Sequence, residues 1–343
     1  FANEPLITVR GPIIQAQLIE TMLLLSINYP TLIATKASRI VTAARGRAVL
    51  EFGARRAHGY DSSLEGARSA IIAGCVGTSH TLAGEKYGAY VSGTMAHSYI
   101  QMFDNEYEAF LEFAKINPDN SVFLVDTYDT LESGVPNAIR VAKEYLNPNG
   151  YRLKAIRLDS GDLAYLSKAA RKMLDDAGLS DSKIMASNSL DEYIIDDLIY
   201  QGAQIDQFGV GEKLITSKSE PVLGGVYKLV AQEINGSIVP KIKVSDNIEK
   251  ITNPGYKRLY RFYDNESNKA LADYIALHDE VIPEDKITIF DPVAPWKRQT
   301  LKNYEVRELK VPIFKNGTCV YDSFSLFDIS VYAEKERETF WDE

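Results

Sequence analysis

A chain of 343 residues with 45% hydrophobic and 25% charged residues has the composition of a folded protein and the length of one large domain or two moderate ones. Its formal net charge is −9, and its lysines and arginines are scattered rather than interleaved with aromatics. That argues against a nucleic-acid partner and leaves any anionic ligand to be gripped locally, inside a pocket. Two cysteines, Cys75 and Cys319, supply neither a disulfide framework nor a zinc set and fit a reducing cytoplasm.

In chain order, "FANEPLITVRGP" reads as a strand entered partway, with Phe1 rather than Met at its start and no signal peptide in view. After Gly11-Pro12 an apolar pattern over 13–34 predicts a helix, and "LEGARSAIIAGC" (64–75) predicts another. No uninterrupted apolar run reaches the ~18 residues of a membrane span, so no membrane association is expected. From 121 to 216 the order is regular. "VFLVD" ends at Asp126, and a helical pattern follows from about Ser133. "LKAIRLD" ends at Asp159, and a helix follows that stops at Gly178. "KIMAS" and a helix from Asp191 to Gly202 come next, then "IDQFGVG". Four strands alternating with helices predict parallel βα units. The spacing does not separate a closed barrel from an open doubly wound sheet. After Gly225 the texture changes to hairpins, with Asn235-Gly236 as a turn. The expected division is an α/β barrel over 12–222, with 1–11 and 223–343 forming a discontinuous, mainly β second domain.

Polar residues cluster where the predicted strands stop: Asp126 and Asp129, Asp159 and Asp162, Ser187 and Asn188, Gly209 and Gly211. In a parallel barrel these ends share one face, the face that carries chemistry. In "RLDSGDL", Ser160 or Asp162 would cap the next helix. The same position offers free N–H groups to phosphate and carboxylates to ribose hydroxyls or Mg²⁺. The turn "GVG" is no dinucleotide fingerprint, because Leu214 stands where the third glycine belongs. In "LVDTYDT", Asp126 and Asp129 are one residue too far apart for an aspartyl-phosphate phosphotransferase. Arg55 and Arg56 in "EFGARRAHG" are either a solvated face or an anion grip. His97, one of four histidines, sits in the apolar stretch "VSGTMAHSYIQMF". The residues alone leave it open between a hydrogen-bonded core histidine and one that handles protons or phosphate.

"EFGARRAHG", "VSGTMAHS", "LVDTYDT", "RLDSGDL", "ASNSLDE" and "FGVGEKLITS" occur in the order found in the nicotinate phosphoribosyltransferases, and the chain resembles that family from about Leu6 into the 330s. The resemblance implies an irregular TIM-like α/β barrel of the type II phosphoribosyltransferases with a second, mainly β domain. The implied activity, of ligase or glycosyltransferase type, joins nicotinate to phosphoribosyl diphosphate (PRPP), giving nicotinate mononucleotide and diphosphate in NAD salvage. ATP hydrolysis is coupled through a phosphohistidine. It places that phosphohistidine at His97, nicotinate contacts at Thr94 and Arg157, and a diphosphate contact at Arg55. Asp126, Asp159 and Ser160 fall in the PRPP site, with Asp159 also catalytic; Asn188, Gly209 and Gly211 lie near the 5′-phosphate. Asp159 and Asp162 are the expected Mg²⁺ ligands. It further implies a cytoplasmic homodimer with the active site near the subunit interface.

Two departures stand out. Glu212 occupies a place where some relatives carry threonine, and a preceding segment with a nicotinate-stacking tyrosine is expected but does not fall within this sequence. The alternatives are a nicotinamide or quinolinate phosphoribosyltransferase, the latter needing more cationic groups, or a truncated homologue that binds phosphoribosyl compounds without turnover.

Overall fold

The computed structural model describes residues 1, 3–244, 252–291 and 293–341. The chain forms two compact units, one of 27–223 and 325–331, the other of 1–26, 224–324 and 332–343. The first differs from the expected 12–222 in that residues 12–26 group with the second unit and 325–331 with the first.

The first unit is built on six parallel strands: β1 (Ala48–Glu51), β2 (Gly77–Thr78), β3 (Val122–Leu124), β4 (Ala155–Leu158), β5 (Lys183–Ala186) and β6 (Gln207–Val210). Their order in the sheet is β2-β1-β6-β5-β4-β3. Every neighbour is sequential except one: the first strand pairs with the last, Ala48 through Glu51 against Gln207 through Val210. Pairing of first with last is barrel topology; a doubly wound sheet would instead run outward in both directions from its first strand. The open seam lies between β2 and β3. A parallel bridge from Thr78 to Val91 leads the chain along that seam into "SGTMAH".

β3 to β6 occupy the positions expected from the sequence. β1 and β2, four and two residues long, were not among the expected strands. The helices between strands follow local rules. Asp162 caps Leu163–Asp176 by accepting the Tyr165 N–H at 3.0 Å, and that helix buries Leu163, Ala164, Ala170 and Leu174 before Gly178 turns left-handed. Asp191 caps Glu192–Tyr200 in the same way. Between helices and sheet lie Phe110, Phe123 and Phe208, all fully buried, with Phe110 and Phe123 stacked at 4.8 Å.

The predicted helix over 13–34 is two helices, Ile13–Leu18 and Glu20–Ala43. Contrary to the reading of uninterrupted runs, the stretch Ile13–Ala43 is long and apolar enough by length and composition to cross a membrane. Its second half is a core helix of the first unit: Ile33, Ala37 and Ile40 are fully buried, and Lys36 pairs with buried Glu192.

The second unit centres on an antiparallel sheet of 257–264, 270–277 and 304–308. The Asn235-Gly236 turn joins 231–234 to 237–240 with both turn residues at positive φ, as a type I′ hairpin requires. The region after 223 is not all strand: Leu326–Glu338 is a helix.

Candidate active site

Parallel strands deliver their C-terminal ends to one face, and the residues just beyond them make a connected polar cluster. Its hub is Arg157, on β4 between buried Ile156 and Leu158. The side chain is 17% exposed. Its guanidinium donates from Nε to Ser187 Oγ (2.8 Å), from Nη1 to Thr94 Oγ1 (2.7 Å) and from Nη2 to Asp159 Oδ1 (2.8 Å). The Phe52 ring lies 5.7 Å from its central carbon. A guanidinium has five N–H donors. Three are engaged here, so two remain for a ligand.

Asp159, one residue past β4, receives Arg157 and the Ser187 hydroxyl on the same oxygen, Oδ1. Burial raises its pKa, but the Ser187 hydrogen bond and the Arg157 charge outweigh burial and hold it below the ordinary 3.8. Asp126, past β3, has a side chain only 2% exposed. Its Oδ2 accepts the Asp159 backbone N–H (3.2 Å) and the Ser160 hydroxyl. Its Oδ1 is buried with no hydrogen-bond partner.

His97 faces these two acids. Nε2 lies 3.6 Å from Asp159 Oδ2 and 3.9 Å from Asp126 Oδ1, while Nδ1 meets Thr127 Oγ1 at 3.1 Å. The imidazole is 41% exposed, so it is not a core histidine. One ring nitrogen is tied to a hydroxyl and the other points at carboxylates. That geometry suits an imidazole that accepts a group and whose charge is then stabilised by neighbouring acids.

The other expected residues are placed as follows. Asp162 Oδ1 is committed to its helix cap. Asp129, which the spacing argument set aside, also caps, accepting Leu131 and Glu132 N–H groups. Asn188 and Ser189, past β5, both adopt positive φ, a backbone state typical of functional turns in non-glycine residues. Gly209 makes room for Phe52: a Cβ there would sit 2.7 Å from its ring. Gly211 lies against the Phe52 carbonyl, where a Cβ would come to 3.0 Å. Arg55 follows β1 in the short turn Ala54–Arg56, exposed and without a protein partner among the described residues.

The sequence reading gave no role to Thr127 or Phe52, and it singled out Ser187 only as a strand-end polar residue. All three lie inside quoted motifs, which was the available signal. Among the described residues no three His, Cys, Asp or Glu converge as a metal cage. Among the described residues, however, the hydrogen bonds to Asp159 and Asp162 fall on Oδ1 of each, leaving Oδ2 free of them. That fits Mg²⁺, which takes one or two carboxylates together with substrate phosphates.

A six-stranded parallel sheet of barrel order, with an arginine and two acids gathered at its strand ends, is an α/β barrel with its candidate site at the strand-end face. Residues 256–343 match the family model described as nicotinate phosphoribosyltransferase C-terminal domain. A nicotinate phosphoribosyltransferase of Bacillus subtilis is 49% identical over 346 residues, covering 100% of this chain and 70% of that protein. One from Mycobacterium tuberculosis is 44% identical over 84% of this chain and 60% of its own length. The crystal structure of human nicotinic acid phosphoribosyltransferase superposes with a TM-score of 0.82 at 26% identity, over 97% of this chain and 73% of that one. A nicotinate-nucleotide pyrophosphorylase of Pyrococcus furiosus gives 0.71 at 26% identity, over 93% and 73%. The chain belongs to the nicotinate phosphoribosyltransferase family, the transferases that make nicotinate mononucleotide for NAD biosynthesis.

Proposed function

We propose that the strand-end cluster is where this chain joins nicotinate to PRPP. The observation that carries the reading is Arg157, half-buried, braced on three sides and left with two N–H donors. Among the described residues it is the only arginine in the hydrogen-bonded cluster, which fits one carboxylate, as nicotinate has, and not a second.

The pyridine nitrogen attacks C1 of the ribose as the C1–O bond to diphosphate breaks, and the bond's electron pair leaves with the diphosphate. The nitrogen is already a nucleophile, so no strong base is needed. In this reading Asp126 and Asp159 hold ribose hydroxyls and face the positive charge that develops on the sugar. Unpaired Arg55 is available for the leaving diphosphate. Mg²⁺, held through Asp159 and Asp162, would supply further charge neutralisation on the phosphates.

ATP enters through His97. Attack of a ring nitrogen on the γ-phosphorus releases ADP, and water later returns the phosphoryl group as phosphate. Such a cycle couples hydrolysis to the strength of substrate binding. The free Cys75 and Cys319 agree with a cytoplasmic protein, and a homodimer completes the reading.

The test is product formation with PRPP, Mg²⁺ and ATP, offering nicotinate, nicotinamide and quinolinate separately to the full-length protein. Nicotinate should be consumed preferentially, with diphosphate released in equal amount. Preference for the amide or the diacid would refute the role given to Arg157.

A further inference from the structure

The end of β1 carries an acid that the reaction above does not use. Glu51 is fully buried. Its Oε1 accepts the Gly53 backbone N–H and its Oε2 accepts the Thr78 hydroxyl at 2.6 Å. Thr78 Oγ1 in turn accepts the His80 N–H at 3.0 Å. No cation is paired with Glu51 among the described residues, and burial pushes its carboxyl above the ordinary 4.5 despite those hydrogen bonds. A buried acid without a cation is unfavourable for stability by itself, so its presence calls for a role that an apolar side chain could not fill.

The two hydrogen bonds tie the turn leaving β1 to the end of β2, and a backbone bond ties the same turn to β6. Gly53 begins the turn that leaves β1, and Thr78 ends β2. Around them, Phe52 N–H donates to Val210 O at the end of β6 (2.8 Å), and Ser79 N–H donates to Glu51 O (3.0 Å). A Cβ on Gly53 would lie 2.7 Å from Gly211 O, so only glycine lets the β1 and β6 exits approach this closely. The turn so fixed carries Arg55.

We propose that Glu51 is a positioning residue for phosphoribosyl transfer: a buried two-point clamp on Gly53 and Thr78 that sets the turn presenting Arg55 to the diphosphate of PRPP. The inference rests on the reading of Arg55 as a diphosphate contact. A carboxylate suits the role because it offers two acceptors in one rigid plane. Glutamine can replace it, its carbonyl facing Gly53 and its amide donating to Thr78, whose hydroxyl can accept as well as donate. Alanine cannot.

The experiment compares Glu51→Ala, Glu51→Gln, Thr78→Val, Thr78→Ser and Arg55→Ala in the full-length protein, with PRPP and nicotinate titrated separately and melting recorded. Glu51→Ala and Thr78→Val should raise KM for PRPP by about ten- to a hundredfold, the range a misplacement near 1 Å produces, while KM for nicotinate stays near wild type. Glu51→Gln and Thr78→Ser should restore wild-type behaviour. If Glu51→Ala does not fold, Thr78→Val still decides the matter, since it keeps side-chain shape and removes only the hydroxyl. An unchanged KM for PRPP in Thr78→Val overturns the clamp, as do parallel changes in both KM values that track a fall in melting temperature. Loss of PRPP affinity in Arg55→Ala with silent clamp variants refutes the clamp alone. An inert Arg55→Ala refutes the reading of Arg55 beneath it.

Discussion

Replacing Arg157 with alanine removes the hub of the site, and its consequences separate cleanly by ligand. In the free protein the guanidinium bonds Ser187, Thr94 and Asp159, and two N–H donors remain. Truncating one member of a buried, hydrogen-bonded charge pair costs about 2–5 kcal/mol. At 1.4 kcal/mol per decade that is a loss of about 30- to 4,000-fold in nicotinate affinity. Arg157→Lys should fall between, because it keeps the charge and loses the planar fork. Alanine also leaves Asp159 Oδ1 with only the Ser187 hydroxyl, so the Asp159 pKa should rise toward its ordinary value. Initial rates with each substrate varied at saturation of the other, alongside calorimetric titration of nicotinate, give the answer. Arg157→Ala should raise KM for nicotinate far more than KM for PRPP. A nicotinate affinity left intact while PRPP affinity collapses would refute the assignment.

Three further outcomes follow from the geometry. Asp159→Asn should damage PRPP binding while the fold survives. The Asp159 pKa is depressed by folding, so the stability it contributes is present above its ordinary 3.8 and lost as pH falls through the lower folded value. Melting curves of wild type and Asp159→Asn should therefore converge in acid; a constant gap at all pH values contradicts the shift. His97→Ala should abolish ATP hydrolysis and leave a slow, ATP-independent transfer. Acid-labile label from γ-labelled ATP should map to His97 in the wild type, and label on His58, His80 or His278 would be evidence against it. Lys36→Met should destabilise the first unit by about 3–5 kcal/mol, because buried Glu192 loses the ammonium 2.7 Å away. Chemical denaturation measures this, and replacing Glu192 with leucine in the same chain should recover most of the loss.

Local rules, all present in the sequence, determined much of this protein. The Asp162 and Asp191 caps, the Asn235-Gly236 hairpin and the apolar runs of β3 to β6 each depend on residues a few positions apart, so spacing and residue type were enough. The ordered motifs were enough to imply the family and, through it, His97, Arg157 and Asp159. Only the tertiary structure decided the rest. Pairing of β1 with β6 joins segments about 160 residues apart, and no local period encodes which strand lies beside which. That pairing separates barrel from doubly wound sheet. It also brings Gly209 against Phe52 and Phe52 against Arg157, and it gives Glu51 its burial. The partners of the polar groups were likewise settled in space. Ser187 and Thr94 meet one guanidinium from positions 30 and 63 residues away, and Thr127 finds His97 across the seam beside β3. Hydrogen bonds over such separations depend on where the backbone delivers each donor, which the chain settles only when the core has packed.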